Sequence, residues 1–158
     1  MSKVSKTEVQ AAYRIIKAVI DIELNKRHIK YKASSSAPQS YKKMRDCFDA
    51  LGYFLVYDGG DHGMMGKEYN IKFRALHDAM HYAYGISFKF GDEKRLSTIT
   101  ANLFAKAAFN NYACSRREIV LIRSIIDAEI RGQIEHFELN KCYVEDQSSF
   151  ILSYFYAL

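Results

Sequence analysis

Apolar residues recur every three or four positions along most of this chain. Ala12, Ile15, Ile16, Val19 and Ile22 form one such series, and Met44, Cys47, Phe48 and Leu51 form another. This is the period of a helix with one buried face, since a half-buried strand would hide every second residue. A single proline in 158 residues leaves little to interrupt it. Hydrophobic residues make up 49% of the chain, which is enough to build a core rather than a disordered coil. The pattern predicts an all-α fold over residues 1–158: an irregular single-domain bundle of five or six helices, with a glycine-rich loop and at most a short strand.

Local signals place the elements. Thr7 is expected to cap a first helix running to about Lys26. The polar run KASSSAPQS then reads as a loop. Ser40 should cap a short helix that ends at Gly52, and Tyr53–Tyr57 is the one stretch with strand character. Gly59, Gly60, Gly63 and Gly66 make the next segment a loop. A third helix is expected from Asn70 to Gly85 and a fourth from Asp92 to about Asn111. Ser115 and Glu118 have capping-box spacing and open a fifth helix, from about Arg116 to Leu139. A last helix should begin near Asp146.

Charge and cysteine content narrow the setting. The formal charge is +5, and Lys3, Lys6, Lys26, Arg27, Lys30, Lys32, Lys42, Lys43 and Arg45 all lie in the first third. Such an excess favours polyanionic partners, or simply keeps a surface solvated. Cys47, Cys114 and Cys142 show no C-x-x-C spacing, and their odd number suits a reducing compartment. The N-terminus MSKVSKTEVQ lacks an apolar signal core, and no apolar run is long enough to span a bilayer. A cytoplasmic protein with no membrane partner is expected.

The chemistry concentrates in RALHDAMHYAYG, residues 74–85. His77 and His81 are one helical turn apart and share a face with Arg74, while Asp78 flanks that face. Two imidazoles at this spacing can bind one metal ion. Such a pair can equally be a surface feature. On the fifth helix, DAEIRGQIEHF puts Glu129, Gln133 and His136 on one stripe. Gly132 in mid-helix lowers helix propensity by about 1 kcal/mol relative to alanine, which a close approach of another helix or a ligand would explain. Glu93 opens the fourth helix, where an acid suits the helix dipole and is also within reach as a further carboxylate. Asp58, Asp61 and His62 in the glycine loop can complete a metal sphere or form Asx-turns. Tyr82, Tyr84 and Tyr112 can stack on bases or pack.

The order FRALHDAMHYAYGISFKFGDE, AEIRGQIEHF, YVEDQSSF resembles a group of small bacteriophage-type proteins and phage polyprotein segments. These carry an H-D-x-x-H-like element, an F-x-x-G-E-like element, E-x-R-G-Q, and an aromatic-V-x-D-Q-like end. The resemblance covers roughly residues 71–150. It implies a shared site at His77, Asp78, His81, Glu93, Glu129, Arg131 and Gln133, and a phage origin, with the host cytoplasm as its place of action. In that group the acid more often follows the glycine directly, so Asp92 competes with Glu93.

Two functions are compatible with these residues. One is a metal-dependent hydrolase acting on a phosphate-containing substrate, a nucleotide or a nucleic acid. A divalent ion (Zn, Mn or Mg) would be held by His77, His81, Glu93 and His136. Glu129, Asp78 and Gln133 would carry catalytic roles, Glu129 as base or additional ligand, and Arg74 or Arg131 would hold the anionic substrate. The two histidines are expected to face the Glu129–Gln133 stripe across Gly132. A variant plan, His…His-Asp…Asp, would use His62, His77, Asp78 and Asp127. The other function is a non-enzymatic phage accessory protein that binds a host protein or nucleic acid. Its His/Glu cluster would then be a buried network fixing helix register.

Overall fold

The computed structural model describes residues 3–156. It is a helical bundle with one small parallel ribbon. The element order is α1 (Lys6–Lys26), β1 (Tyr31–Ser34), α2 (Tyr41–Leu51), β2 (Phe54–Tyr57), α3 (Gly66–Tyr84), α4 (Phe90–Asn111), α5 (Arg116–Asp127), α6 (Gln133–Asn140) and α7 (Gln147–Tyr156). A 3₁₀ turn at Gly63–Met65 precedes α3, and a π turn at Ala128–Gly132 joins α5 directly to α6. The expected fifth helix is therefore a single rod from Arg116 to Asn140 with one extra residue wound into its middle.

The helix ends follow local chemistry, with three departures. Ser40 caps α2 by accepting from the Lys43 amide, and Gly52 (φ 77) closes it. Ser115 and Glu118 form the expected reciprocal box. At α1 the cap is Ser5 and not Thr7. Ser5 pairs with Glu8 in a complete capping box, and Thr7 falls inside the first turn. α3 begins four residues before Asn70, which is buried in its interior with its side-chain oxygen 3.1 Å from His62 Nδ1. α4 begins at Phe90, so Asp92 lies in its first turn rather than at its cap.

The run read as a polar loop contributes a strand. β1 pairs with β2 in parallel, Tyr31 opposite Phe54 through Ser34 opposite Tyr57, with α2 as the crossover. Strand structure is thus not confined to residues 52–57. Four residues of mixed polarity carry no period of their own, and the pairing exists only because α2 returns the chain alongside them.

The core lies where α1, α3, α4 and α5 converge. Ile16, Val19, Ile20, Leu76, Met80, Leu96, Phe104, Ile122, Ile125 and Ile126 are fully buried there. α4 and α5 pack along one another, while α3 packs on α1 and β2. This arrangement brings the start of α4 beside the end of α3.

Candidate functional site

The end of α3 and the first turn of α4 place three side chains around one point. His77 Nε2 is 3.0 Å from Glu93 Oε2, His81 Nε2 is 3.0 Å from Glu93 Oε1, and the two Nε2 atoms are 3.0 Å apart. His81 is fully buried, and Glu93 nearly so. The other nitrogen of His81, Nδ1, lies 2.7 Å from the Ile86 carbonyl oxygen. A carbonyl only accepts, so Nδ1 carries the hydrogen and Nε2 is the nitrogen presented to Glu93. The Phe88 ring stands edge-on to the His81 ring at 4.6 Å and fixes its plane.

Burial by itself would raise the Glu93 carboxyl. The hydrogen bonds and charges of His77 and His81 outweigh it and hold the group below its usual range. Burial likewise disfavours charge on His77, and the facing Glu93 carboxylate reverses this and raises it. Next in the chain, burial pushes the Asp78 carboxyl up to about 7, against the pull of His77.

His77, His81 and Glu93 could hold a metal ion, since one ligand atom from each falls within 4.8 Å of the others. Two imidazole nitrogens and a carboxylate oxygen are the donors that zinc and other first-row divalent ions take. Ligands about 2.0–2.2 Å from one ion would sit about 3 to 3.5 Å apart, and the 3.0 Å spacing found here lies at the short end of that range. The backbone acceptor on His81 is the outer support that ligating histidines usually have. His77 lacks that support among the described residues, as its Nδ1 is buried without a hydrogen-bond partner.

Glu129 does not join this group. Its Oε1 accepts from the Tyr13 hydroxyl at 2.6 Å, and its Oε2 accepts from Gln133 Nε2 at 3.3 Å. Neither histidine hydrogen-bonds to it among the described residues, so the expected facing of His77 and His81 onto the Glu129–Gln133 stripe is corrected. The physical reason is the position of α4, whose first turn supplies its own carboxylate. Burial raises the Glu129 carboxyl, opposed by the hydrogen bonds of Tyr13 and Gln133 and by the Arg74 charge. Gly132 serves a different contact too. A Cβ there would meet the rings of Phe150 and Tyr154 at 3.4–3.5 Å, so it seats α7 and not α3.

Arg74 stands one turn before His77, but its Nη1 donates to the carbonyls of Tyr57 (2.7 Å) and Gly59 (2.9 Å), strapping the glycine loop to α3. Arg131 pairs with Asp127, which also accepts from Ser97 Oγ at 2.8 Å. Both expected substrate arms therefore have partners within the fold. His136 is outside the metal group. Its Nδ1 lies 3.3 Å from Asn140 Nδ2, and its ring packs edge-on against Phe150. In the variant plan, His62 is tied to Asn70 and Asp127 to Ser97 and Arg131, so neither reaches His77–Asp78. Asp61 makes the expected turn by accepting from the Gly63 amide, and also accepts from the Gln147 amide at the start of α7. Tyr82 packs on Phe48 and donates to Asp49, Tyr112 packs against the core, and Tyr84 is exposed.

Between Asp92 and Glu93 the geometry decides for Glu93. Asp92 Oδ2 accepts instead from Ser87 Oγ at 2.6 Å and from the Ser87 amide at 3.2 Å. Sequence reasoning missed Ile86, Ser87 and Tyr13. Ile86 acts through its backbone, which no side-chain pattern reveals, and Tyr13 is hidden in the apolar stripe of α1. The five-residue turn from Gly85 to Lys89 was the available signal that α3 ends beside the start of α4.

No helix among the described residues is long and apolar enough to cross a membrane. Compared with family models, with curated proteins and with solved structures, the chain has no match in any of the three.

Proposed function

We propose that this protein is a metal-dependent enzyme of phage type, a hydrolase acting on a phosphate-containing substrate such as a nucleotide or nucleic acid. The observation that carries this reading is the convergence of His77 Nε2, His81 Nε2 and the Glu93 carboxylate at 3.0 Å from one another in a largely buried position. A divalent zinc, manganese or magnesium ion bound there would supply Lewis acidity and activate water near neutral pH. Two histidines and one carboxylate leave positions on such an ion for water and substrate. His81 is held in the tautomer that offers Nε2. Asp78, next to His77 on the same helix and with its carboxyl pushed up to about 7, would serve as the catalytic acid or base. Arg74, one turn earlier, keeps its loop in place and brings positive charge to that end of the site.

The test is turnover of phosphomonoesters, phosphodiesters and nucleotides by the purified protein, with and without chelator. Chelator-sensitive hydrolysis that is lost in His81→Ala and Glu93→Gln is expected. Metal bound without hydrolysis of any of these would remove the enzymatic reading and leave the metal centre.

One observation favours a second reading. Glu93 lies 3.0 Å from both Nε2 atoms within the fold, and with His81 doubly protonated it accepts from both, so the three groups satisfy one another. In that reading the cluster fixes α3 against α4, and the protein is an accessory that binds a host protein or nucleic acid.

A further inference from the structure

We infer that Asp92 is a positioning residue for His81, acting through the turn between α3 and α4. The inference rests on the metal-centre reading only for its effect on metal affinity. Its effect on the His81 ring stands apart from that reading.

The argument follows the chain from the helix end. α3 closes at Gly85 (φ 64), and the Ile86 amide donates back to the His81 carbonyl at 3.1 Å. This six-residue return loop is the Schellman way of ending a helix, and it needs glycine at the left-handed position. Its consequence here is specific. The same Ile86 whose amide binds the His81 backbone turns its carbonyl onto His81 Nδ1 at 2.7 Å. His81 is thus gripped by Ile86 at both main chain and ring. Ile86 is 2% exposed, so its side chain is anchored.

The next residue fixes that carbonyl's direction. Ser87 donates to Asp92 Oδ2 through both its hydroxyl (2.6 Å) and its amide (3.2 Å), and Ser87 Oγ accepts from the Lys89 amide at 3.2 Å. Asp92 is the immediate neighbour of Glu93. Two consecutive acids at the start of α4 therefore control the two nitrogens of one ring. Glu93 meets Nε2 directly at 3.0 Å, and Asp92 sets the peptide that meets Nδ1. Loosening the turn would free the ring to exchange tautomers and withdraw the Nε2 lone pair.

The experiment is nitrogen-15 NMR of the histidine rings in the full chain, with chelator, at a pH high enough that imidazoles are neutral. It is paired with Co²⁺ titration of the same proteins. In the wild type His81 should be the Nδ1–H tautomer. Asp92→Ala should shift it toward Nε2–H and weaken Co²⁺ binding about 10- to 100-fold, the range for outer-shell partners of metal ligands. Asp92→Asn keeps an oxygen that accepts from Ser87 and should restore both readouts. Ser87→Ala, which leaves the amide donor, should fall between. A wild-type His81 in the Nε2–H form, or Asp92→Ala and Ser87→Ala that leave the tautomer unchanged, would overturn the inference. Wild type that binds no Co²⁺ yet shows the expected tautomer and its loss would overturn the metal centre and sustain the positioning role.

Discussion

Glu93 and Glu129 are both buried, 7% and 8% exposed, and both lie within hydrogen-bond distance of two side chains, yet their carboxyl groups are driven in opposite directions. Glu93 faces two imidazoles, which can carry positive charge, and it is held low. Glu129 bonds to a phenol and an amide, which cannot, and burial raises it despite the pull of those bonds and of the Arg74 charge. Burial sets the cost of a charge, and the partner decides whether the charge is kept. The Glu93 group has the donors for a cation. The Glu129 group is hydrogen-bonded only by neutral donors among the described residues, which stitch α1 to the π turn, with the Arg74 charge acting on it through space.

The largest expected effect separates the two directly. In chelator-treated protein Glu93→Ala leaves two buried imidazoles without their carboxylate and should cost about 3–5 kcal/mol. Glu129→Ala strands one buried hydroxyl and one amide and should cost about 1–3 kcal/mol. Urea melts of both variants check the order, and a larger loss for Glu129→Ala would break the comparison.

The pH dependence should differ in sign. Glu129 has its folded pKa raised above the usual 4.5, so its contribution is full below that pH and is lost as pH rises through the folded value. Glu129→Gln keeps an acceptor for Tyr13, and the Gln133 amide can turn to accept. The variant should therefore stay within about 1 kcal/mol of wild type and gain on it as pH rises above about 4.5. Glu93 has its folded pKa lowered, so its contribution is present above about 4.5 and is lost as pH falls through the folded value. Melting curves of wild type and Glu129→Gln from acid to neutral pH test the first sign. A variant that loses ground as pH rises would reverse it.

A smaller effect concerns Gly132, which has an ordinary helical φ of −60. A Cβ there meets two aromatic rings at normal contact distance, and alanine gains up to about 1 kcal/mol of helix propensity. Gly132→Ala should change stability by less than about 1 kcal/mol and leave metal binding untouched. Loss of metal would restore a link between the π turn and the histidines. The smallest effect lies outside both groups. The basic residues of the first third are partly occupied, Arg27 by Glu23, Lys42 by Asp46 and Lys32 over the Tyr53 ring. Single-stranded DNA should bind at most weakly at low salt and dissociate steeply as salt rises. Affinity insensitive to salt would contradict a phosphate-only contact.

The same contrast explains what was legible in the sequence. Helices declared themselves through apolar spacing and through Ser40, Gly52, Gly85 and Ser115, because those signals are local. β1 did not, since its pairing depends on a chain segment more than twenty residues away. His77, His81 and Glu93 could all be named, because spacing and helix-start position mark them. The choice between Glu93 and Glu129 as their partner could not be made, because both occupy plausible helix faces and only the packing of α4 beside α3 selects one. His136 was assigned by its helical stripe and Arg131 by motif order, neither of which says which neighbour the side chain meets, and the fold turns them to Asn140 and Asp127.

Elemental analysis of the purified protein, equilibrated with zinc, manganese and magnesium in turn, tests the central claim most directly. One equivalent of a divalent ion per chain is predicted in the wild type, removed by chelator and absent from His81→Ala while far-ultraviolet circular dichroism stays helical. A wild type that holds no ion, or a His81→Ala variant that keeps it, would contradict the account.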